Sequence, residues 1–171
     1  LWLWANDCVG RSQEFETVTK PVLEAAGISK KSVRQLYRKF GQCAYYQYGD
    51  NTYLVTHAGL STLPENLSFV ATEQMIKGAG NYNDSDAVAE AFFDTTPEHC
   101  YQIHGHRNLR QMPIMVNDRV FNLEGQVEYG GCLRCVQVDA EGIHCVEVKN
   151  DVFKTPEMEE EDTVEQGSRP A

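Results

Sequence analysis

The fold is decided by the stretch Leu54-Val55-Thr56-His57-Ala58-Gly59-Leu60 and its later counterpart Tyr101-Gln102-Ile103-His104-Gly105-His106-Arg107. In each stretch, apolar residues of strand-forming type lead to a histidine, and small or polar residues follow. His57 and His106 are therefore predicted to project from the C-terminal edge of a sheet, where the ligand sites of α/β proteins form. The two stretches together predict an α/β protein with both histidines at strand ends.

The rest of the chain alternates between helical and strand-like patterns. Apolar residues recur at helical spacing from Ser12 to Ala26, and Ser29 is a natural N-cap for a second helix that stops near Gly41. Further helices are predicted at 71–77 and 85–93. Strands are predicted at 42–48, 52–56, 101–104, 120–123, 126–129, 133–138 and 143–148. This mixture predicts a layered α/β body.

Composition limits the classes of function. The chain of 171 residues carries 15 Lys+Arg against 25 Asp+Glu, a formal net charge of -10, which argues against a groove for long nucleic acid. Part of the excess lies in an acidic tail near the C-terminus, which has the composition of a disordered segment. No apolar run reaches the length of a membrane span, and no signal peptide is recognised, so a soluble, cytoplasmic protein is expected.

A lone histidine at a strand end is usually a hydrogen-bonded structural residue, but two in equivalent places favour a ligand role. Neutral imidazole is a good ligand for Mn²⁺, Fe or Zn²⁺. Two histidines cannot hold a pair of ions, because ions about 3.5 to 4 Å apart need bridging carboxylates. The chain contains neither an Asp-x-His nor a Gly-Asp-x-x-Asp motif.

The motifs resemble those of one known superfamily. Val55-Thr56-His57-Ala58-Gly59-Leu60 resembles the THAGL/HGGL motif of calcineurin-like metallophosphoesterases, and Ile103-His104-Gly105-His106-Arg107 resembles their Gly-His motif. Residues 121–133 are similar to the strand pair that follows this motif in the bacterial polynucleotide phosphatase and serine/threonine phosphatase-like branch. The resemblance implies a layered β-sandwich flanked by helices, with residues 1–153 as its C-terminal half and 154–171 as an acidic disordered tail.

The same resemblance implies a chemistry and a set of ligands. It implies hydrolysis of a phosphoester by two divalent metal ions, Mn²⁺ foremost with Fe or Zn as alternatives, and it makes His57 and His106 metal ligands. The family's other ligand motifs precede the matched region, so the chain is expected to lack an N-terminal half of the same domain and to be inactive as given. Its catalytic residues stay unassigned.

Neighbouring residues receive supporting roles from the resemblance. His104 and Asn108 are candidates to orient the metal ligands, with plain structural roles as the alternative. Arg107 could neutralise a phosphate oxygen, although an exposed structural arginine is the favoured interpretation. The implied substrate is a phosphomonoester or a nucleic-acid end phosphate, with a phosphoprotein as an open alternative. A small basic patch for such an end could come from Arg34, Arg38, Lys39, Arg107 and Arg110.

Two rival interpretations remain. A non-catalytic interaction or scaffold module derived from the same fold would also lack half of the ligands. A single-zinc site on Cys132 and Cys135 has no second ligand pair, and residues three apart on a strand face opposite sides. The metal interpretation makes a geometric prediction: His57 and His106 lie together at one sheet edge, beside an open cleft that leaves apolar residues of the central strands exposed.

Overall fold

The computed structural model describes residues 1–107 and 113–152. The chain divides into two compact units, Leu1–Gly41 and Gln42–Ala171, and each is described by itself. The predicted tail at 154–171 lies outside the described residues, as do Asn108 and Arg110. The boundary at Gly41 falls where the second predicted helix was expected to stop.

The first unit is helical. Ser29 caps its longest helix as predicted, because the Ser29 hydroxyl accepts a hydrogen bond from Ser32 N at 3.1 Å. A small core joins Trp4, Phe15 and Val33. The predicted apolar faces are only partly used, since side chains such as Phe40 remain largely exposed. The helices are α1 (Trp2–Ala5), α2 (Lys20–Ala25), which continues a π-helical segment at Phe15–Thr19, and α3 (Lys30–Tyr37).

The second unit is built on a mixed sheet, which has five strands within the described residues. Its strands are β1 (Cys43–Tyr48), β2 (Asn51–Thr56), β3 (Cys100–His104), β4 (Met115–Asn117) and β5 (Val120–Asn122), in the order β1-β2-β3-β5-β4. β1 and β2 form the predicted hairpin. The inner strands β2, β3 and β5 run parallel, so their C-terminal ends meet at one edge. This edge positions the candidate site.

Alternation along the inner strands gives the sheet two apolar faces. Leu54 and Val120 point to one face, where they pack with Met75, Ala89 and Phe92. These partners come from helices α4 (Thr72–Lys77) and α5 (Ser85–Thr95), which match the helices predicted there. The helices therefore cover one face of the sheet.

A two-stranded hairpin covers part of the other face. It consists of β6 (Cys132–Asp139) and β7 (Gly142–Lys149), which pair antiparallel. Val136, Val138 and Ile143 from the hairpin pack against a core that includes Tyr53 and Phe121. The predicted α/β class is thus confirmed in its general form, a mixed sheet with helices, while the layered β-sandwich that the resemblance implies stays a prediction.

Several details differ from the sequence prediction. The strand predicted at 126–129 is a 3-10 helix at Val127–Tyr129, because Gln126 takes a left-handed backbone with φ 52 and turns the chain. β4 was not predicted. The expectation that apolar residues of the central strands are exposed is wrong, because Tyr53, Leu54 and Ile103 are buried. The exposed tyrosines of the sheet lie on the edge strand β1. Among the described residues, none of the helices is both long and apolar enough to cross a membrane.

Candidate functional site

The structure brings His57 and His106 together. His57 follows the last residue of β2 and His106 lies two residues beyond the last residue of β3. Because these strands are parallel neighbours, both histidines reach the same sheet edge, and their ring centroids are 4.7 Å apart with planes tilted by 34°. His57 is exposed and His106 is partly buried. The predicted juxtaposition is confirmed, and the role of the pair as metal ligands stays a prediction.

The backbone holds the two histidine loops in register. Gly105 N donates a hydrogen bond of 2.9 Å to His57 O, which joins the two strand ends directly. His106 itself has φ 67, a left-handed conformation that is uncommon for any residue other than glycine. Non-glycine residues in such conformations cluster at functional sites, where the surrounding structure maintains the strain.

The surroundings of His106 favour its neutral form. Burial lowers the pKa of His106 below its usual value of 6.5, and the neighbouring His57 and Arg107 lower this pKa further, while Glu124 opposes them. The ring of Tyr82 meets the ring of His106 edge-on, with centroids 5.5 Å apart. A neutral imidazole offers a lone pair to a metal ion, so this environment suits a ligand.

His104 lies inside the protein, beneath the loop that follows His57. Its ring is buried beneath Gly59, where a side chain on Gly59 would come within 3.1 Å of the His104 ring. Gly59 belongs to the loop that begins at His57, so the His104 ring forms the floor of that loop. Burial lowers the pKa of His104, which keeps the ring neutral. The orienting role and the plain structural role that the sequence left open for His104 both stay predictions.

Arg107 is not the exposed arginine that the sequence favoured. Its side chain is only 1% exposed, and its Nη2 donates to Lys77 O at 2.9 Å and to Ala79 O. Gly78 lies against the guanidinium and has no side chain to obstruct it. The Nε and Nη1 atoms are buried and make no hydrogen bond to any residue within 1–107 and 113–152. Arg107 therefore places a buried positive charge beneath the loop at 78–80 and holds that loop by hydrogen bonds to its backbone.

The five residues of the proposed basic patch fall in different parts of the chain. Arg34, Arg38 and Lys39 belong to the first unit, Arg107 is buried in the second, and Arg110 lies outside the described residues. Asn108, the other candidate to orient a ligand, lies outside them as well. Arg107 thus cannot contribute to a solvent-facing patch, because its guanidinium is enclosed.

Two residues of the site were missed by the sequence analysis. Asn122 is fully buried, and its Nδ2 donates to Arg107 O at 2.6 Å while its Oδ1 accepts from Glu124 N at 3.0 Å. Glu124 is the carboxylate whose charge favours protonation of His106. Asn122 is the last residue of β5, the third parallel strand, and Glu124 lies two residues beyond it. The strand-end rule that selected His57 and His106 would have found them had it been applied to 120–124.

The described residues were compared with the ligand set that a metal ion needs. No group of three or more His, Cys, Asp or Glu side chains that could hold an ion occurs within 1–107 and 113–152. Cys132 and Cys135 are both free thiols on β6, with Cys135 exposed and Cys132 half-buried. Two imidazoles can therefore supply two ligands of an ion, and a complete site requires donors beyond this pair.

Comparison of the chain with protein-family models, with curated proteins and with solved structures gives no match.

Proposed function

We propose that the second unit contributes His57 and His106 as two ligands of a divalent-metal site in a phosphoester hydrolase of the calcineurin-like type. The observation that carries the proposal is the side-by-side placement of the two imidazoles at the ends of adjacent parallel strands. A ligand imidazole has its ring centroid roughly 3 Å from the ion, given metal–nitrogen bonds of about 2.0 to 2.1 Å. Two such ligands about 90° apart would have centroids roughly 4 to 5 Å apart, a range that includes the observed 4.7 Å.

The surrounding residues support this assignment by their charge. His57 is exposed, so an ion and a substrate can reach the pair. Burial lowers the pKa of His106, which maintains the lone pair needed for ligation. Arg107, although enclosed, places a positive charge behind the site and favours an anionic substrate such as a phosphoester.

The resemblance supplies the rest of the proposal. A pair of divalent ions, Mn²⁺ foremost, would bind phosphoryl oxygens and lower the pKa of a bound water. His57 and His106 would hold and orient one ion, and the carboxylates required for a dinuclear site would come from polypeptide outside the described residues. The substrate class is a phosphomonoester or the end phosphate of a nucleic acid.

Hydrolysis of an aryl phosphate with and without Mn²⁺ tests the proposal. The longest protein encoded by the gene should show metal-dependent turnover that His57→Ala and His106→Ala each abolish. His99→Ala is the matched control, because His99 is exposed and precedes the start of β3, at the end of that strand opposite His106. The 171-residue chain should stay at background. Turnover that both variants retain would contradict the proposal, and folded full-length protein without any turnover would favour the non-catalytic module.

A further inference from the structure

An open cavity of about 380 Å³ begins three residues after His57. It is lined by Leu60, Glu65, Asn66, Phe69 and Gln74, among others. Its volume falls within the range of about 300 to 1,000 Å³ that is typical of small-molecule sites. The cavity therefore has room for one planar ring system.

Phe69 borders this cavity and lies in a short turn whose neighbouring residues are packed. Its side chain is 88% exposed, whereas Leu67 and Val70 on either side pack against the core. The turn is a 3-10 helix at Leu67–Phe69, capped by Asn66 Oδ1, which accepts from Ser68 N at 2.9 Å. Because the flanking residues are anchored, the backbone that carries the Phe69 ring is already ordered before a ligand binds.

Polar groups surround the exposed ring. The Asn66 Oδ1 is engaged in the cap, which leaves the Asn66 Nδ2 as a donor, and the exposed Gln74 amide offers both a donor and an acceptor. The Glu65 carboxylate supplies a further acceptor. An aromatic face bordered by amide and carboxylate groups is the combination that stacks a nucleobase and reads its polar edge.

The Leu60 end of this cavity is tied to β3 by two hydrogen bonds. Leu60 N donates to Gln102 Oε1 at 2.7 Å, and Gln102 Nε2 donates back to Leu60 O at 2.9 Å. Gln102 is fully buried in β3, the strand that leads to His106. Three residue steps of about 3.8 Å place Leu60 at most about 11 Å from His57, which is of the order of one or two nucleotides.

We propose that Phe69, Asn66 and Gln74 bind the nucleobase of a terminal nucleotide whose phosphate group is presented to His57 and His106. The inference rests on the proposed function for the phosphate, while the base site stands on the cavity itself. A single terminal nucleotide needs no long basic groove, which agrees with the net charge of -10.

An NMR titration of the 171-residue chain with adenosine tests the base site without any phosphate or metal. Adenosine should shift the backbone amides of 68–70 and the side-chain amides of Asn66 and Gln74, whereas ribose 5-phosphate should not. Phe69→Ala should weaken adenosine binding by about tenfold or more, and Phe69→Trp should retain it. Phe40→Ala, at another exposed phenylalanine, is the matched control.

Asn66→Asp provides a second variant that keeps the fold. The aspartate retains an oxygen that caps the turn, replaces the Nδ2 donors with an acceptor and adds a negative charge beside Glu65, so adenosine binding should weaken while the turn is kept. The inference is overturned if adenosine at millimolar concentration leaves these amides unshifted, or if Phe69→Ala binds it as well as the wild type. Shifts that follow protein concentration instead would show a contact between copies and would also overturn it.

The outcome separates the base site from the proposed function. Adenosine binding that depends on Phe69, together with a full-length protein that hydrolyses no phosphoester, would retain the base site and reject the hydrolase. Metal-dependent hydrolysis without adenosine binding would reject the base site alone.

Discussion

Gly78 contacts two parts of the candidate site at once. It has φ 80, and a Cβ there would collide with Ala58 O and with the Arg107 guanidinium. Ala58 follows His57, so the loop that carries one histidine and the arginine that follows the other both pack against this glycine. At the scale of single residues, the site depends on a position where any side chain is excluded.

Gly78→Ala should lower the free energy of unfolding by about 3 kcal/mol, because backbone strain adds to a steric overlap with buried groups. Gly49→Ala is the matched control, since Gly49 also has a positive φ of 58 but has open space around it. Its cost should be about 1 kcal/mol. Urea unfolding of both variants measures the difference, and equal losses would show that Gly78 is not in tight contact.

His104 should make stability depend on pH. Its pKa in the folded protein lies below the ordinary 6.5 because burial disfavours the charged form. At a pH between the pKa of His104 in the folded protein and 6.5, the unfolded chain binds more protons at this position than the folded protein does. The contribution of His104 to the free energy of unfolding is therefore fully present above pH 6.5 and decreases as the pH falls below it. His104→Asn should show a shallower decrease over this range in thermal unfolding. An unchanged slope would mean that His104 is accessible to protons in the folded protein.

At the scale of elements, the side chain of Arg119 caps the C-terminus of helix α5. The Arg119 Nη1 donates to Pro97 O at 2.6 Å and to Thr96 O at 3.1 Å, and Nη2 donates to Phe93 O. The guanidinium also lies over the Phe93 ring, 4.3 Å from its centroid. A buried cation at a helix C-terminus satisfies the last carbonyls and favours the helix dipole.

Arg119→Met should therefore destabilise the second unit by about 3 to 5 kcal/mol, since it leaves several buried carbonyls without donors. Arg119→Lys keeps the charge but lacks the forked donors, so its loss should be intermediate. Arg38→Met, at an exposed arginine, serves as the control. Chemical unfolding gives the three values. A loss for Arg119→Met no larger than that of Arg38→Met would show that these bonds do not stabilise the helix end.

The elements also show how far the sequence could predict the structure. β2 and β3 could be predicted, together with their histidines, because a run of β-branched or apolar residues stops at a polar one. The prediction of a strand at 126–129 was wrong because the residue type of Gln126 does not indicate its left-handed backbone. The burial of Arg107 could not be predicted from the sequence either, because it depends on contacts with Gly78 and Ala79, which lie 28 or more positions earlier in the chain.

At the scale of the whole molecule, the candidate site lies in the second unit. His57, His106, Tyr82, Arg107 and Glu124 all belong to it. The sheet of this unit gathers the C-terminal ends of three parallel strands, and each strand end contributes a residue of the site. The order of the strands, rather than any local sequence, brings these residues together.

Binding of Mn²⁺ to the 171-residue chain, followed by NMR, tests most directly whether His57 and His106 share one ion. Substoichiometric Mn²⁺ should broaden the imidazole resonances of His57 and His106 before those of His99 and His144. His57→Ala should remove the broadening at His106, and His106→Ala should remove it at His57, while His99→Ala should leave both unchanged. Broadening that persists at either histidine after its partner is replaced, or that appears equally at all histidines, would contradict the shared metal site.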